Sequence, residues 1–455
     1  MITSRRLRQY LLLAVDLAVL FAALFATLWI RRGLGEALAT YGVHVRYFSL
    51  IFAAWLVIYY VAGFYDLDTD FDEPKFLGKI LWTSFLGALI GALYFYLDTK
   101  APIGPKTVLA LDALATSLFV WIWRSSYARV SRIVNKKRKI AFIGGDPALA
   151  ELVAEIRAHP RHGYESAAFY DDGGSASPEG GLREFRDAET LVWMARGLDL
   201  SLVVISDERA LSEQTRTALI SLMGPEIRFM RLDYFYEYVL RKIPIGTISD
   251  FWFLENIDLR AKRPYEAAKR GTDILVAGIG LVAFLPLWLL VALAVKLTSK
   301  GPVFFTQKRL GKGGNTFRIV KFRTMRVQGN DFSPTGKKDP RITPIGNFLR
   351  RIRLDEVPQF YNILRGEMSF IGPRPERPEL ALDLERHVPY YRQRLLVKPG
   401  ITGWDQVSGE YHSPSIEDTY KKLQFDLYYI KNLSFVLDVS IIAKTIATVF
   451  ARSGR

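Results

Sequence analysis

Between Pro302 and Gly403 the chain gathers cations, carboxylates and stiff turns at unusual density. Lys321-Phe-Arg323-Thr-Met325 comes first, then Arg350-Arg-Ile-Arg353-Leu-Asp355-Glu356-Val-Pro358-Gln359, then Gly372-Pro373-Arg374-Pro375. Several guanidinium groups and a lysine beside a carboxylate pair suit a ligand carrying two phosphates. Arg meets phosphate oxygens through two parallel N–H donors, and Lys adds a point charge. Salt bridging among the same residues is the rival reading. Pro358 is comfortable only near a helix start, so Asp355 and Glu356 are expected around that helix's N-terminus, where the dipole favours anions. As a capping signal alone such a pair is commonplace. Adjacent carboxylates can also divide labour, one attacking phosphorus while its neighbour holds Mg²⁺ against phosphate oxygens. Spacing does not separate these readings. Proline on both sides of Arg374 either presents that guanidinium with little entropy left to lose or makes a plain turn. Lys398-Pro-Gly-Ile-Thr-Gly-Trp404 shares this rigid, glycine-punctuated character and suits a lid or a membrane-facing loop.

The elements that must position these groups begin with four apolar stretches, roughly Tyr10 to Ile30, Tyr47 to Phe64, Ile80 to Leu97 and Val108 to Trp123. Each approaches the roughly 20 residues a helix needs to cross hydrocarbon. Arg5, Arg6 and Arg8 precede the block, and Arg124, Arg129, Arg132, Lys136, Lys137, Arg138 and Lys139 follow it, so both ends are expected to be cytoplasmic. Arg31, Arg32 and Arg46 then fall in an outside loop, against the rule. Next, Lys139-Ile-Ala-Phe-Ile-Gly-Gly-Asp-Pro-Ala-Leu-Ala reads as a buried strand, a glycine turn and a helix, and Leu200 to Ser206 as a further strand. That is the texture of a Rossmann-like unit over about 136–255. A dinucleotide fingerprint needs three spaced glycines, whereas Gly144 and Gly145 are followed by Asp146 and Pro147, so a regulatory or assembly role is favoured over a cofactor site. Asp171 to Gly181, rich in glycine and serine, reads as a flexible surface loop.

A fifth apolar run, Ile274 to Leu297, carries Pro286 at its middle, where it bends a helix. Lys262, Arg263, Lys269 and Arg270 precede the run, and Lys296, Lys300, Lys308 and Arg309 follow it, so neither end is marked as outside. A bent hairpin and a kinked crossing both remain open on this evidence. Phe435 to Phe450 is apolar but contains Asp438 and Lys444, and reads as an interfacial amphipathic helix.

Composition excludes several classes. A hydrophobic share of 50% over 455 residues points to membrane segments. The net charge of +15 lies largely beside apolar runs, where topology and anionic lipid explain it, so no nucleic-acid partner is expected. With no cysteine there is no disulfide, thiolate metal site or cysteine nucleophile, and the five histidines show no ligand spacing. Any metal is expected to be a hard ion held by oxygen. The first apolar run lacks a small-residue cleavage end and reads as an anchor.

Together these stretches resemble the polyprenyl-phosphate sugar-1-phosphate transferases, the monotopic phosphoglycosyl transferase superfamily that begins bacterial surface-glycan assembly. The resemblance runs from about Lys269 onward. It is carried by Lys269-Arg270 with Asp273, Phe304-Phe-Thr-Gln307, Lys321-Phe-Arg-Thr-Met325, Leu354-Asp-Glu356, Met368-Ser-Phe-Ile-Gly-Pro-Arg-Pro375, Lys398-Pro-Gly-Ile-Thr-Gly-Trp404 and Tyr428-Tyr-Ile-Lys-Asn-Leu-Ser434. The four spans and Rossmann-like unit resemble that family's long subgroup, whose middle domain is usually degenerate. The resemblance implies a membrane protein with a four-helix transmembrane bundle (1–135), an α/β Rossmann-like middle domain (136–255) and an α-rich catalytic domain (256–455). A re-entrant membrane helix hairpin at about 270–298 would anchor that last domain, with Lys269, Arg270 and Asp273 at its entrance and Pro286 at its break. A serine often precedes that proline in the family; here Leu285 does, which leaves the bend in need of another partner.

In that family's chemistry Asp355 would be the nucleophile, expelling UMP and carrying the phosphosugar, and Glu356 the adjacent acid that helps bind Mg²⁺. Lys321, Arg350 and Arg374 would line the phosphate pocket, with Arg323 and Arg353 as neighbours. The implied partners are a UDP-sugar, with UDP-glucose or UDP-galactose expected, undecaprenyl phosphate and the lipid bilayer, and a homodimer is a plausible assembly. The implied location is the bacterial inner membrane with the site facing the cytoplasm. Two rivals stand beside this reading. One is a membrane-tethered NAD-dependent nucleotide-sugar dehydratase or epimerase, for which Tyr265-Glu-Ala-Ala-Lys269 supplies a Tyr-x-x-x-Lys spacing. The other is a non-enzymatic scaffold for glycan assembly.

Overall fold

A computed structural model describes residues 2–65, 74–98, 105–134, 137–170, 182–185, 187–207, 211–326, 339–408 and 415–450. The run 171–181, expected as a surface loop, lies outside these residues, as does Lys136 of the basic flank. The chain forms two compact units, Met1–Arg138 with Ala158–Glu165, and Lys139–Arg157 with Ser166–Arg455.

The first unit holds α1 (Ile2–Arg32), α2 (Leu34–Val61), α3 (Pro74–Leu97) and α4 (Pro105–Val134). Each contains a stretch long and apolar enough to cross a bilayer, and a helix is the form in which such a stretch satisfies its own backbone groups. Leu24, Phe48, Trp55, Tyr59 and Ile80 pack at the centre. Adding a Cβ at Gly87 of α3 would bring it to 2.4 Å from the Trp55 ring, so the absent side chain lets two helices close up. Fully buried Asp16 and Arg124 join α1 to α4 at 2.5 Å. The second helix differs from expectation: it starts at Leu34, only Gly33 (φ 81°) turns the corner from α1, and Arg46 therefore sits inside α2 rather than in a loop. Leu34 to Val45 offers no breaker beyond two glycines, each costing only about 1 kcal/mol against alanine.

In the second unit, β1 (Arg138–Ile143), β2 (Tyr164–Tyr170), β3 (Arg183–Phe185), β4 (Leu200–Ile205) and β5 (Arg228–Arg231) form one sheet in the order β3-β2-β1-β4-β5. β1 runs parallel to β4, β4 to β5 and β2 to β3. The chain also forms α5 (Pro147–Ala158), α6 (Ala188–Gly197), α7 (Glu213–Ser221) and α8 (Leu232–Leu240); Leu191 and Met194 of α6 and Leu219 of α7 bury against Ile143 and Val203. α9 (Asp250–Asn256) leads to α10 (Arg263–Ala283) and α11 (Leu285–Thr298), which meet at a 63° bend. Pro286 falls in the first turn of α11, where a missing N–H breaks no bond, and so the bend requires no serine.

The remainder is mixed α/β rather than simply α-rich. An antiparallel hairpin, β6 (Phe304–Leu310) and β7 (Thr316–Phe322), turns through Gly313 and Gly314, both at positive φ. After it come α12 (Pro344–Arg351), α13 (Phe360–Arg365), β8 (Ser369–Ile371), α14 (Pro378–His387), β9 (Gly400–Thr402), α15 (Ile416–Lys431) and α16 (Phe435–Phe450). Ile243, Trp252, Ile371, Tyr391, Trp404 and Leu427 share one core. α16 is amphipathic as expected, burying Asp438 and Ile441 while Val436, Val439 and Ile442 stay exposed.

Candidate active site

Three local structures bring the expected residues together. β7 ends at Phe322 with Lys321 just before it. α12, capped by the Thr343 hydroxyl accepting from Gly346 N at 3.0 Å, carries Arg350 in its last turn. Gly346 has to be glycine, because a Cβ there would lie 2.0 Å from the Thr324 carbonyl oxygen. Arg353 then takes the left-handed conformation (φ 60°, ψ 15°) and turns the chain into a 3₁₀ helix, Leu354–Gln359, which holds Asp355, Glu356 and Pro358 ahead of α13. A non-glycine residue so placed stores about 1–2 kcal/mol. The carboxylates thus occupy a 3₁₀ turn before the α-helix rather than its first α-turn. Asn362 of α13 stitches this turn to the strand: its side chain accepts from Val320 N at 3.0 Å and donates to Arg318 O at 2.8 Å.

The two buried carboxylates differ sharply in their surroundings. Lys321 Nζ donates to Glu356 Oε1 at 2.8 Å, Arg374 Nη2 to the same oxygen at 3.4 Å, and Arg353 Nη1 lies 3.9 Å from Oε2. Burial opposes charge on Glu356, yet Lys321, Arg374 and Arg353 outweigh it and hold the group at about 2. Asp355 has no hydrogen bond or ion pair among the described residues. Burial first, and the neighbouring Glu356 charge second, raise its pKa against the pull of Lys321, Arg350 and Arg353. One carboxylate is therefore locked as an anion in a cationic cage, and the other is left with open lone pairs. Arg350 Nε donates to the Thr324 hydroxyl at 2.8 Å, leaving its charge to act on Asp355 at longer range.

Arg374 is held in an unusual way. Pro373 and Pro375 remove two backbone donors, so the segment is fastened through its carbonyls. Gly400 N donates to Pro373 O, Arg394 Nη2 to Arg374 O, Arg309 Nη1 to Pro375 O and Leu310 N to Glu376 O, each at 3.0 Å. Within the Lys398 to Trp404 stretch, expected as a lid or a membrane-facing loop, Gly400–Thr402 form strand β9, which runs parallel to β8. Three glycines explain it: a Cβ on Gly372, Gly400 or Gly403 would come within 2.5 Å of facing backbone. Trp404 is buried and donates from Nε1 to Arg241 O at 2.9 Å.

The other expected residues lie elsewhere. Arg323 is not in the cage: its guanidinium donates to Lys300 O at 2.9 Å and Ser299 O at 2.7 Å, closing the C-terminal end of α11, because the strand has ended and the side chain turns away from Lys321. Lys269 and Tyr265 both bind Asp438, at 2.7 and 2.6 Å, so the Tyr-x-x-x-Lys spacing serves packing against α16. Arg270 donates to Ile363 O and Leu364 O at 2.5 and 2.8 Å, and Asp273 accepts from Phe370 N at 3.3 Å. Sequence reading missed Asn362 and Arg394 and placed Arg309 only in the basic flank of the fifth apolar run; these act only through what they touch.

A hard cation fits the carboxylate pair. No group of three or more His, Asp or Glu residues among the described ones could hold a metal, but Mg²⁺ commonly takes one or two carboxylates and completes its shell with water and substrate phosphates. Asp355, with both oxygens uncommitted, and the outer oxygen of Glu356 are the donors available.

Residues 264–452 match the bacterial sugar transferase family, and the chain belongs to it. It is 34% identical over 326 residues to the UDP-glucose:undecaprenyl-phosphate glucose-1-phosphate transferase of Klebsiella pneumoniae, covering 69% of this chain and 68% of that protein. The protein of that name in Escherichia coli (strain K12) is 32% identical over 317 residues, covering 68% and 67%. The UDP-N-acetylgalactosamine-undecaprenyl-phosphate N-acetylgalactosaminephosphotransferase of Aeromonas hydrophila is 46% identical over 194 residues, but these span 42% of this chain and only 45% of that protein.

Proposed function

We propose that the protein moves a sugar-1-phosphate from a UDP-sugar to undecaprenyl phosphate and releases UMP, the first membrane step of a bacterial surface glycan. UDP-glucose is the leading donor, with UDP-galactose next; the glucose-1-phosphate transferases of Klebsiella pneumoniae and Escherichia coli each align over about two thirds of their length. The observation that carries this reading is Asp355, a buried carboxylate without a hydrogen-bond partner among the described residues, beside Glu356 locked in ion pairs with Lys321 and Arg374.

In the proposed chemistry an Asp355 oxygen attacks the phosphorus that bears the sugar. The bond from that phosphorus to the oxygen of UMP breaks, UMP leaves with the electron pair, and an aspartyl phosphosugar remains. A phosphate oxygen of undecaprenyl phosphate then attacks the same phosphorus and releases Asp355. Arg374, Arg353, Arg350 and Lys321 hold phosphate oxygens and oppose their charge through both steps. Asp355 and Glu356 are the residues that would hold Mg²⁺, which would supply further neutralisation of the leaving group. Glu356 stays charged and keeps Lys321 and Arg374 fixed at the pocket wall.

The finer architecture belongs to the same proposal. The bent α10–α11 pair is read as a re-entrant hairpin that enters and leaves on the cytoplasmic face of the inner membrane, supported by basic residues at both ends and by exposed Leu275, Val282, Leu289 and Leu293. Residues 1–135, 136–255 and 256–455 are read as membrane, middle and catalytic domains. The middle one is read as a degenerate Rossmann-like domain. This is supported by Asp146, whose Oδ1 accepts from Ala148 N at 2.7 Å and so occupies the helix N-terminus where a pyrophosphate would bind. A screen of UMP release across UDP-sugars with undecaprenyl phosphate tests the activity. Intact-mass analysis tests the mechanism: wild type gains a phosphosugar and Asp355→Asn does not. An adduct on the Asn variant removes Asp355 from the role.

A further inference from the structure

Arg374 meets Glu356 in front, and its backbone is held from behind by a residue with no part in the chemistry above. Arg394 has a side chain only 4% exposed and pairs with Asp426, 2% exposed, at 2.9 Å. Its Nη1 donates to the Tyr391 hydroxyl at 2.7 Å and its Nη2 to Arg374 O at 3.0 Å. A buried ion pair is a poor source of stability, because the loss of hydration offsets most of the attraction and a well-packed apolar pair does as well or better. What apolar groups cannot do is fix a direction. The planar guanidinium, with donors in a fixed fork, aims one bond at a chosen acceptor once its other bonds are made. Here the chosen acceptor is the carbonyl of the residue that proline on either side leaves without neighbouring N–H groups to hold it.

We propose that Arg394, aimed by Asp426, is a positioning residue for the transfer reaction, setting the Arg374 guanidinium against Glu356 and the substrate phosphates by fixing the Arg374 carbonyl. The inference rests on the reading of Asp355 and Glu356 as the reacting pair. Asp426 and Tyr391 act one step further back: they orient Arg394 and touch nothing that reacts. Arg309, which holds the next carbonyl, is also a guanidinium, but it is paired less closely, with Glu376 at 3.6 Å. Arg394 is therefore the firmer of the two holds.

The test uses the purified full chain with UDP-glucose and undecaprenyl phosphate. UMP release, thermal unfolding midpoint and wild-type adduct formation are measured in parallel. Arg394→Lys keeps a cation beside Asp426 but cannot bond Asp426, Tyr391 and the Arg374 carbonyl together. It is expected to unfold near the wild-type midpoint while kcat/KM falls about tenfold or more, with KM for UDP-glucose raised, as for other residues that orient a reacting shell. The pair Arg394→Met with Asp426→Leu removes both buried charges. It is expected to recover stability lost in Arg394→Met alone, yet to stay at least about tenfold down in kcat/KM. Wild-type kcat/KM in a folded Arg394→Lys protein, or full recovery of kcat/KM alongside stability in the double variant, overturns the positioning role and leaves the pair merely structural. Should the double variant not fold, Arg394→Lys alone decides. Absence of UMP release or of the Asp355 adduct in wild type would instead count against the proposed reaction, so the two failures are told apart.

Discussion

Replacing Lys321 with methionine removes the cation closest to the carboxylate pair while keeping a stem of similar length. Glu356 is held at about 2, against 4.5 for a free glutamate. That depression corresponds to roughly 3 kcal/mol in favour of the charged form. Lys321 is the largest attraction behind it, ahead of Arg374 and Arg353. Because Glu356 is depressed, its contribution to stability is present above the unfolded-state value near 4.5 and is lost as pH falls toward 2. At neutral pH the methionine variant should therefore lose much of it, on the order of 2 kcal/mol, because Arg374 and Arg353 remain. Asp355 supplies the sharper readout. Its pKa already lies above the ordinary aspartate value, and Lys321 is first among the groups pulling it back. Without Lys321 it rises further. Only the ionised carboxylate attacks phosphorus, so the acid limb of the kcat/KM profile for UMP release should move to higher pH. A methionine variant whose acid limb stays put, with activity merely scaled down, would refute the coupling of Lys321 to Asp355.

Exhaustive chelation should abolish UMP release and added Mg²⁺ should restore it, because the carboxylate pair offers oxygen ligands only; undiminished turnover after chelation counts against a metal. Gly372→Ala places a Cβ 2.3 Å from the Lys398 carbonyl oxygen, where backbone faces backbone, so it should push β8 from β9 at about 1–3 kcal/mol and lower UMP release severalfold. Gly224→Ala, with no atom within 4 Å, is the matched control, and equal activity in the two would sink the close-approach argument. In the helical bundle, Asp16→Ala takes the carboxylate from buried Arg124 and should cost about 3–5 kcal/mol, read as a lower unfolding midpoint in detergent; an unchanged midpoint would show that the pair does not hold α1 to α4.

What the sequence made legible, and what it hid, follow from how local each signal is. The four apolar runs, the strand at Lys139 to Ile143 and the amphipathic Phe435 to Phe450 declare themselves through composition or period alone. Leu354-Asp-Glu-Val-Pro358 announces a turn into a helix, and the structure sharpens it to a 3₁₀ turn entered through left-handed Arg353. Lys321, Arg353, Arg374 and Glu356 converge because strand β7, the 3₁₀ turn entered through Arg353 and the proline-flanked Arg374 each hold their side chains toward one point. Arg323 does not, since two residues of strand decide which way a side chain points only until the strand ends. The Lys398 to Trp404 stretch was read by its glycines as a rigid lid or membrane-facing loop, whereas glycine serves here to let two backbones touch. That difference depends on what lies across the gap. Arg394 and Asp426 were invisible for the same reason: Arg394 bonds a carbonyl twenty residues away, and Asp426 meets Arg394 only from α15.

The proposed reaction has a soluble nucleotide sugar and a lipid-borne phosphate share one carboxylate, and the root of the bent helix pair packs against the elements around that carboxylate. Arg270 on α10 binds the last carbonyls of α13, the helix that begins one residue after the dyad turn. Asp273, one residue short of a full turn further on, accepts from Phe370 in β8, the strand that leads into Arg374. Gly280, two turns beyond, packs against Phe360 so closely that a Cβ would lie 2.5 Å from the ring. α10 therefore grips both the helix that follows Asp355 and Glu356 and the strand that precedes Arg374, on a single face, while its opposite face exposes Leu275, Ile279 and Val282. Under the proposed re-entrant reading, a tilt of this helix would carry Asp355 and its cationic wall together, and so would keep the distance between them on which the proposed chemistry depends.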